Sequence, residues 1–123
     1  MHNPTIFAVT AVEKAYTECD EWYEAVKKYI DENEKFTRDY FAKHFEAFHI
    51  LPREGTYLLW IDYTRTGMSE EELEQWFLKE ANVSVYMGSI FGEAGRGYIR
   101  LNLASPRSLL KEAYERMRTA WRF

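Results

Sequence analysis

The sequence has little cysteine, proline or glycine, and each scarcity excludes a class of protein. Its single cysteine, Cys19, cannot form an intramolecular disulfide, which predicts a reducing, cytoplasmic location. With only six Gly and three Pro, collagen-like chains, flexible linkers and turn-dense all-β folds are poor candidates. The longest apolar runs, such as residues 57–61, fall far short of the roughly 20 residues that a membrane-spanning helix needs. No basic segment followed by an apolar run opens the sequence, so no secretory signal is predicted.

The chain also lacks an excess of positive charge. The chain has 16 basic and 20 acidic residues and a formal net charge of −4, so it lacks the basic field that holds a phosphate backbone. Neither nucleic acid nor a membrane is therefore an expected partner. What the chain does have is 46% hydrophobic residues, an ordinary share for a folded protein, and many aromatics. Its 123 residues suit a single domain with one core.

Hydrophobic spacing predicts the order helix, long helix, strand, helix, strand, strand, helix. The predicted helices cover residues 4–16, 21–48, 70–80 and 106–121, and the predicted strands cover 56–63, 83–87 and 98–103. This order predicts an α/β (α+β) domain, in which helices cover one side of a small mixed or antiparallel sheet of three to four strands. Apolar side chains on both sides of strand 56–63 predict a central strand that is covered on both faces.

The helix boundaries are predicted from capping residues and apolar stripes. Asp20 is the expected N-cap of the long helix, and Ser69 with Glu72 forms a capping box for the next one. Ser105 is the expected N-cap of the last helix, with Pro106 at its first helical position. The long helix shows an aromatic stripe that is interrupted at Asn33 and consists of Trp22, Val26, Tyr29, Phe36 and Tyr40. The last helix pairs Glu112 with Arg116 and buries a face made of Leu109, Leu110, Ala113, Met117 and Trp121.

The predicted strand 98–103 carries a candidate binding residue. Alternation places its aliphatic residues on one face and Tyr98, Arg100 and Asn102 on the other. Because the aliphatic face should meet the helices, Arg100 lies at the centre of the opposite face. A planar guanidinium on a rigid strand can grip a carboxylate through two parallel hydrogen bonds. The alternative is a solvated arginine on an open sheet face, which is the commoner situation.

Other chemical signals are few. Residues 88–97 hold four glycines, but their spacing matches neither the dinucleotide-binding nor the P-loop pattern, so a tight loop between two strands is the better interpretation. The three histidines make no close ligand pair, and no metal site is predicted. Cys19 has no identifiable histidine partner and is expected to be a spectator thiol.

Several segments, in order along the chain, carry a resemblance to a known family. They are residues 11–16 with Glu21 and Trp22, residues 54–62, the glycine loop 88–97, and the most specific pair, 98–102 followed by 105–108. From residue 4 to residue 121 the sequence resembles the C-terminal small domain of fold-type I pyridoxal-phosphate (PLP) enzymes. Within that group it is most similar to the MalY/PatB branch, the cystathionine β-lyase-like members of the class I/II aminotransferases.

The resemblance implies roles for individual residues. Arg100 would bind the α-carboxylate of an amino-acid substrate, and Asn102 would help to orient it. Tyr98 stands where the family more often has phenylalanine, which leaves the implied role of Arg100 unchanged. The further residues that the resemblance implies near the cofactor cleft are Gly88, Phe91, Gly55 and Tyr57.

The resemblance also implies a longer parent enzyme. Residues 1–18 would be a lead-in helix from a large domain, 20–48 a long helix, and 56–121 the strands and helices of the small domain. The large domain would be the partner of this one in a homodimeric parent and would hold pyridoxal 5'-phosphate on a lysine. No lysine here has the expected sequence context, so this chain alone is expected to bind no cofactor, to contribute no catalytic residue and to be inactive.

The implied reaction is C–S β-elimination from cystathionine or related cysteine conjugates. Two alternatives stay open. The parent could be a true class I/II aminotransferase, or the chain could be a stand-alone module that binds carboxylates without chemistry.

Overall fold

A computed structural model describes residues 5–122, so Pro4, where the first helix is predicted to begin, lies outside the described residues. The chain divides into two compact units, Met1–Glu32 and Asn33–Phe123. Within residues 5–122, the helices are α1 (Ile6–Glu18), α2 (Asp20–His44), α3 (Glu70–Gln75) and α4 (Arg107–Ala120). The strands of the same range are β1 (His49–Ile50), β2 (Leu58–Asp62), β3 (Tyr86–Met87) and β4 (Tyr98–Asn102). None of these helices is both long and apolar enough to cross a membrane.

The first unit contains α1 and the beginning of α2. Thr5 caps α1, because its hydroxyl accepts a hydrogen bond from the amide of Ala8. No residue of α1 is buried, and Phe7 is 84% exposed. Only Cys19 separates α1 from α2. The sequence predicted Asp20 as the N-cap of the long helix, but Asp20 is the first residue of α2.

α2 ends four residues earlier than predicted. After His44 the chain turns, with the amide of Phe45 bonded to the carbonyl of Phe41 and the amide of Phe48 to that of Phe45. All three phenylalanines are buried, so burial in the core continues where the helix has stopped. The turn leads into β1, a strand of two residues that is too short to leave a periodic signal in the sequence.

The four strands form an antiparallel sheet in the order β1-β2-β4-β3. This confirms the predicted small sheet, although β3 is shorter than the predicted strand 83–87. One face is buried and consists of Leu59, Ile61, Ile99 and Leu101. β2 is an interior strand, but the prediction that both its faces are covered is wrong, because Leu58, Trp60 and Asp62 are only half-buried.

A buried polar side chain joins α2 to the segment that follows β4. In the sequence, Asn33 is a polar residue that interrupts the stripe of α2, but in the structure its side chain is fully buried. Its amide nitrogen donates to the carbonyls of Leu103 and Ser105, both at 2.9 Å, and its oxygen accepts from Nε of Arg107 at 3.0 Å. Both ends of the amide are therefore satisfied, which is the condition for burying it at low cost.

A second buried polar contact joins α2 to α4. The hydroxyl of Thr37 donates to the carbonyl of Asn33 and lies 2.7 Å from the hydroxyl of Tyr114. A threonine hydroxyl has one hydrogen, so the Tyr114 hydroxyl is the donor in this second bond. Burial raises the pKa of Tyr114 and the contact with Thr37 lowers it; burial dominates, which keeps the phenol protonated as a donor.

The predicted capping box of α3 is confirmed, since the Ser69 hydroxyl accepts from the Glu72 amide and the Glu72 carboxylate accepts from the Ser69 amide. The helix predicted to run to residue 80 changes after Gln75 into a π-helical turn, Trp76–Glu80. The amide of Ala81 closes this turn on the carbonyl of Trp76. The wider turn buries both Trp76 and Phe77.

Two details of α4 differ from the sequence prediction. Pro106 is the N-cap itself, with no side-chain cap from Ser105, so the helix begins one residue later. Its buried face also differs from the prediction: Leu109 is 56% exposed, whereas Tyr114 is fully buried. The predicted pair of Glu112 and Arg116 is confirmed at 2.5 Å.

Candidate functional site

The open face of the sheet places Arg100 at its centre. Arg100 is the third of the five residues of β4, and it lies opposite Trp60 on β2 and Tyr86 on β3. Cross-strand partners project from the same face of a sheet. The alternating burial of β4 puts Ile99 and Leu101 in the core, so Arg100 faces away from the core.

Aromatic rings surround the Arg100 guanidinium. Its Cζ lies 4.0 Å from the ring centroid of Phe91 and 5.0 Å from that of Tyr86. The ring of Trp60 meets Phe91 edge-on, at 5.6 Å between centroids. Such contacts hold a guanidinium plane in place without using its N–H donors.

One donor of Arg100 is left without a partner. Its Nε is buried and has no hydrogen-bond partner among the described residues. An unsatisfied buried donor costs about 1–3 kcal/mol, and natural proteins retain few of them.

The glycine loop brings Phe91 to the arginine. As the sequence predicted, residues 88–97 form a tight connection between two strands, built from the 3₁₀ turns Gly88–Phe91 and Glu93–Gly95. The two turns touch through backbone: a Cβ on Gly88 would lie 2.1 Å from the carbonyl oxygen of Gly95. These two glycines are therefore needed for close packing of the loop on itself.

Two cavities open on this face of the sheet. The first, about 260 Å³, is bordered by Arg100, Trp60, Leu58, Leu59 and the loop residues 52–56. The second, about 360 Å³, is lined by Leu51, Trp60, Phe91, Ala94, Gly95 and Tyr98. We name them the arginine cavity and the aromatic cavity. Trp60 borders both of them.

A charged cluster holds the loop that borders the arginine cavity. The carboxylate of Glu34 accepts from Nε of Arg38 at 2.8 Å and from Nε of Arg53 at 2.5 Å. Arg38 also donates to the carbonyls of Ile50 and Leu51. Burial pushes the pKa of Glu34 upward, but the hydrogen bonds from Arg53 and Arg38 outweigh it, so the pKa lies below its usual value.

The same loop contains a strained residue. Thr56 has a φ of +59°, a left-handed conformation that β-branched residues rarely adopt. Arg53 donates to the carbonyl of Thr56 at 2.6 Å, and the amide of Leu58 donates to its hydroxyl at 3.2 Å. Strain of this kind persists only where surrounding contacts enforce it, and it concentrates at binding sites.

The structure brings some of the other predicted site residues close to Arg100 and leaves others apart. Gly55 borders the arginine cavity and Phe91 contacts the guanidinium, whereas Gly88 is buried within its loop. Asn102 lies on the same strand, but its side-chain oxygen accepts from the amide of Ala104, which leaves the amide nitrogen as the group that could reach a ligand. Tyr57 is exposed and borders neither cavity.

Sequence reasoning missed Trp60 and Tyr86 as neighbours of Arg100. Both are aromatic residues in predicted strands, but their alignment with Arg100 depends on strand register. Register follows from which strands pair, and a single sequence does not show that for strands separated by a helix or a long loop.

The lysines of the chain are all exposed, and each lies in a helical segment, not in a strand of the sheet. They are Lys14, Lys27, Lys28, Lys35, Lys43, Lys79 and Lys111. The open face of the sheet therefore offers a guanidinium and aromatic rings. It offers no amine that could hold PLP through a Schiff base.

The chain is similar to PLP-dependent lyases and aminotransferases. No family model matches it. It is 30% identical over 114 residues to the cystathionine β-lyase PatB of Bacillus subtilis, covering 93% of this chain and 30% of that protein. It is 29% identical over 112 residues to the protein MalY of Escherichia coli, covering 91% of this chain and 29% of that protein. Further relatives include aminotransferases of Pyrococcus and Thermococcus.

A solved structure shows the same fold. Cystalysin of Treponema denticola, whose crystal structure contains pyridoxal 5'-phosphate, matches with a TM-score of 0.89 and 34% identity, covering 94% of this chain and 29% of that one. The chain spans about 30% of the length of the curated relatives that it matches.

Proposed function

We propose that this chain, a homologue of the PatB and MalY cystathionine β-lyase branch of PLP-dependent enzymes, is the domain that binds the substrate α-carboxylate in such an enzyme. The observation that carries the proposal is the partnerless, buried Nε of Arg100 on the open sheet face. The ligand is the carboxylate of an amino acid, and Arg100 is the residue that binds it.

The geometry of the guanidinium supports a carboxylate as its ligand. Nε and one terminal nitrogen form a planar pair of donors that matches the two oxygens of a carboxylate. Phe91 and Tyr86 contact the guanidinium by their rings, and ring contacts of this kind do not use its N–H donors. The amide nitrogen of Asn102 lies further along β4 and is proposed to help orient the same carboxylate.

The proposed enzyme performs C–S β-elimination on cystathionine or related cysteine conjugates. PLP, held by a separate large domain, acts as an electron sink in such chemistry. The part played by this chain is to fix the substrate carboxylate on Arg100, so that the reacting bonds are aligned, and to cover the site with aromatic rings that exclude water. We further propose a homodimeric, cytoplasmic parent, in keeping with the single cysteine.

Substituting Arg100 in the enzyme that carries this chain tests the proposal. Arg100→Lys keeps the charge but loses the planar pair of donors. We expect kcat/KM for an L-cysteine conjugate to fall roughly 10- to 150-fold, because hydrogen bonds to charged groups contribute about 1.5–3 kcal/mol. The corresponding amine, which lacks the carboxylate, should react no worse with the variant than with the wild type.

Arg118→Lys is the matched control, since Arg118 lies on α4 and is paired with Glu115. This control variant should change neither kcat/KM for the L-cysteine conjugate nor the rate with the corresponding amine. An Arg100→Lys enzyme with unaltered kcat/KM for the amino acid, or with equal losses for the amino acid and the amine, contradicts the assignment.

The aminotransferase relatives support a second reaction for the same site. Carboxylate binding by Arg100 serves both reactions equally, so the products decide between them. Pyruvate and ammonia from a cysteine conjugate indicate elimination, whereas a new amino acid formed from an added 2-oxo acid indicates amino transfer.

A further inference from the structure

We propose that the aromatic cavity is the subsite for the substrate side chain, and that it selects amino acids with an apolar, preferably aromatic, β-substituent. This inference rests on the proposed role of Arg100, because it takes the carboxylate on Arg100 as the anchor of the ligand. It adds the substrate class, which the proposed function leaves open.

The position of the cavity follows from two shared residues. Trp60 lies directly opposite Arg100 in the sheet and borders both the arginine cavity and the aromatic cavity. Phe91 contacts the guanidinium at 4.0 Å and also lines the aromatic cavity. A ligand held by its carboxylate at Arg100 therefore has its side chain within reach of the aromatic cavity.

The lining of the cavity defines the chemistry of its occupant. Its residues carry no charge, and its three rings meet at steep angles: Phe91 and Tyr98 stand at 83° and 86° to Trp60. Edges and faces of rings in this arrangement favour another aromatic group or a polarisable thioether. A volume of about 360 Å³ lies within the range of ligand-binding cavities.

Arg53, the other cationic side chain at the arginine cavity, does not favour a second carboxylate on the ligand. Arg53 borders the arginine cavity, but it is paired with Glu34 and donates to the carbonyl of Thr56. A side-chain carboxylate would have to compete with these bonds. Dicarboxylic amino acids, cystathionine included, are therefore expected to be poorer ligands than cysteine conjugates whose β-substituent is apolar.

Ala94 is the residue that best tests the subsite. It is small and exposed, and it lines the aromatic cavity from the turn Glu93–Gly95. A leucine there would fill space in the cavity and leave the aromatic contacts of Arg100 in place. Ala42→Leu on α2 makes the same change at an exposed site that borders neither cavity.

The experiment compares two acids that share a carboxylate and differ in the apolar group. Propionate and 3-phenylpropionate are titrated into the full chain, and dissociation constants are taken from NMR shifts of the Trp60 indole and the Arg100 side chain. We expect 3-phenylpropionate to bind at least about tenfold more tightly than propionate, because even one methylene group in an apolar pocket changes recognition by about 10-fold or more. Ala94→Leu should bring the ratio of the two affinities close to one, and Ala42→Leu should leave it unchanged.

The outcomes separate this inference from the proposed function. Equal affinity for the two acids in the wild type, or a ratio that Ala94→Leu does not alter, overturns the subsite. Arg100→Gln should weaken the binding of both acids. If it weakens neither, or if neither acid binds the wild type, the proposed carboxylate site fails and the subsite with it.

Discussion

At the scale of single residues, a comparison of Arg100 with Arg53 shows that the partners of an arginine decide whether it stabilises the fold or can bind a ligand. Arg53 is paired with Glu34 and bonded to backbone, so its charge is used to shape a loop. Arg100 lies on rigid backbone between two aromatic rings, and its buried Nε has no partner. The first arrangement stabilises the fold, and the second is suited to binding an anion.

A prediction at this scale concerns the hydroxyl pair of Thr37 and Tyr114. Thr37→Val should lower the free energy of unfolding by about 1–3 kcal/mol, because the buried phenol then has no acceptor. Tyr114→Phe should cost less, since the Thr37 hydroxyl still donates to the carbonyl of Asn33. The double variant should cost less than the sum of the two, as measured by urea unfolding. Strictly additive costs would show that the two hydroxyls are not coupled.

At the scale of elements, the open face of the sheet is the face on which the side chains of β2 and β4 are half-buried or exposed. The buried face carries aliphatic side chains, and the other face carries Arg100 with its aromatic neighbours. The glycine loop completes this face by placing Phe91 over the strand. The shape of this loop depends on backbone contact between Gly88 and Gly95. The packing of the loop therefore also sets the position of Phe91 beside Arg100.

Gly88→Ala should therefore destabilise the chain by about 3 kcal/mol, because a Cβ would overlap the Gly95 carbonyl. Gly55→Ala is the matched control, since a Cβ there meets nothing within 4 Å, and it should change stability by less than about 1 kcal/mol. Thermal or urea unfolding measures both. Equal effects of the two alanines would refute the close-packing role of Gly88.

At the scale of the whole molecule, the Glu34 cluster links stability to pH. The hydrogen bonds from Arg53 and Arg38 hold the pKa of Glu34 below its ordinary value of 4.5. A lowered folded-state pKa means that the stabilisation is fully present above the unfolded-state pKa and is lost as the pH falls through the folded-state pKa. The cluster therefore weakens only on acidification.

Glu34→Gln tests this linkage. At neutral pH the variant should be less stable than the wild type, and the difference should shrink as the pH falls from about 7 to about 3. Urea unfolding across this range measures the difference, with the exposed Glu46→Gln as the control. A difference that stays constant with pH would mean that the charge of Glu34 does not contribute.

The apolar residues of α1 lead to a second prediction at this scale. Ile6, Phe7, Val9 and Val12 are all exposed, and exposed patches of this kind promote association. We expect the chain to self-associate as its concentration rises, and the pair Ile6→Glu and Phe7→Glu to reduce this in sedimentation experiments. Ala11→Glu adds charge to the same helix but removes only a methyl group, and it should have a smaller effect.

The sequence by itself determined the order of the main helices and strands and the face of strand 98–103 that carries Arg100. Hydrophobic periodicity and the capping box at Ser69 are local signals, so they can be detected within a few neighbouring residues. The alternation of strand 98–103 likewise placed Arg100 opposite the core. Helix ends and the two-residue β1 were missed, because tertiary contacts decide where a short element stops.

Only the tertiary structure decided what surrounds these residues. Asn33 is buried because acceptors about 70 residues away in the sequence satisfy its amide, and no local pattern contains that information. The positions of Trp60 and Tyr86 beside Arg100 depend on strand register, which is fixed by long-range pairing. The sequence thus specified the arginine, and the packing of distant segments made the site around it.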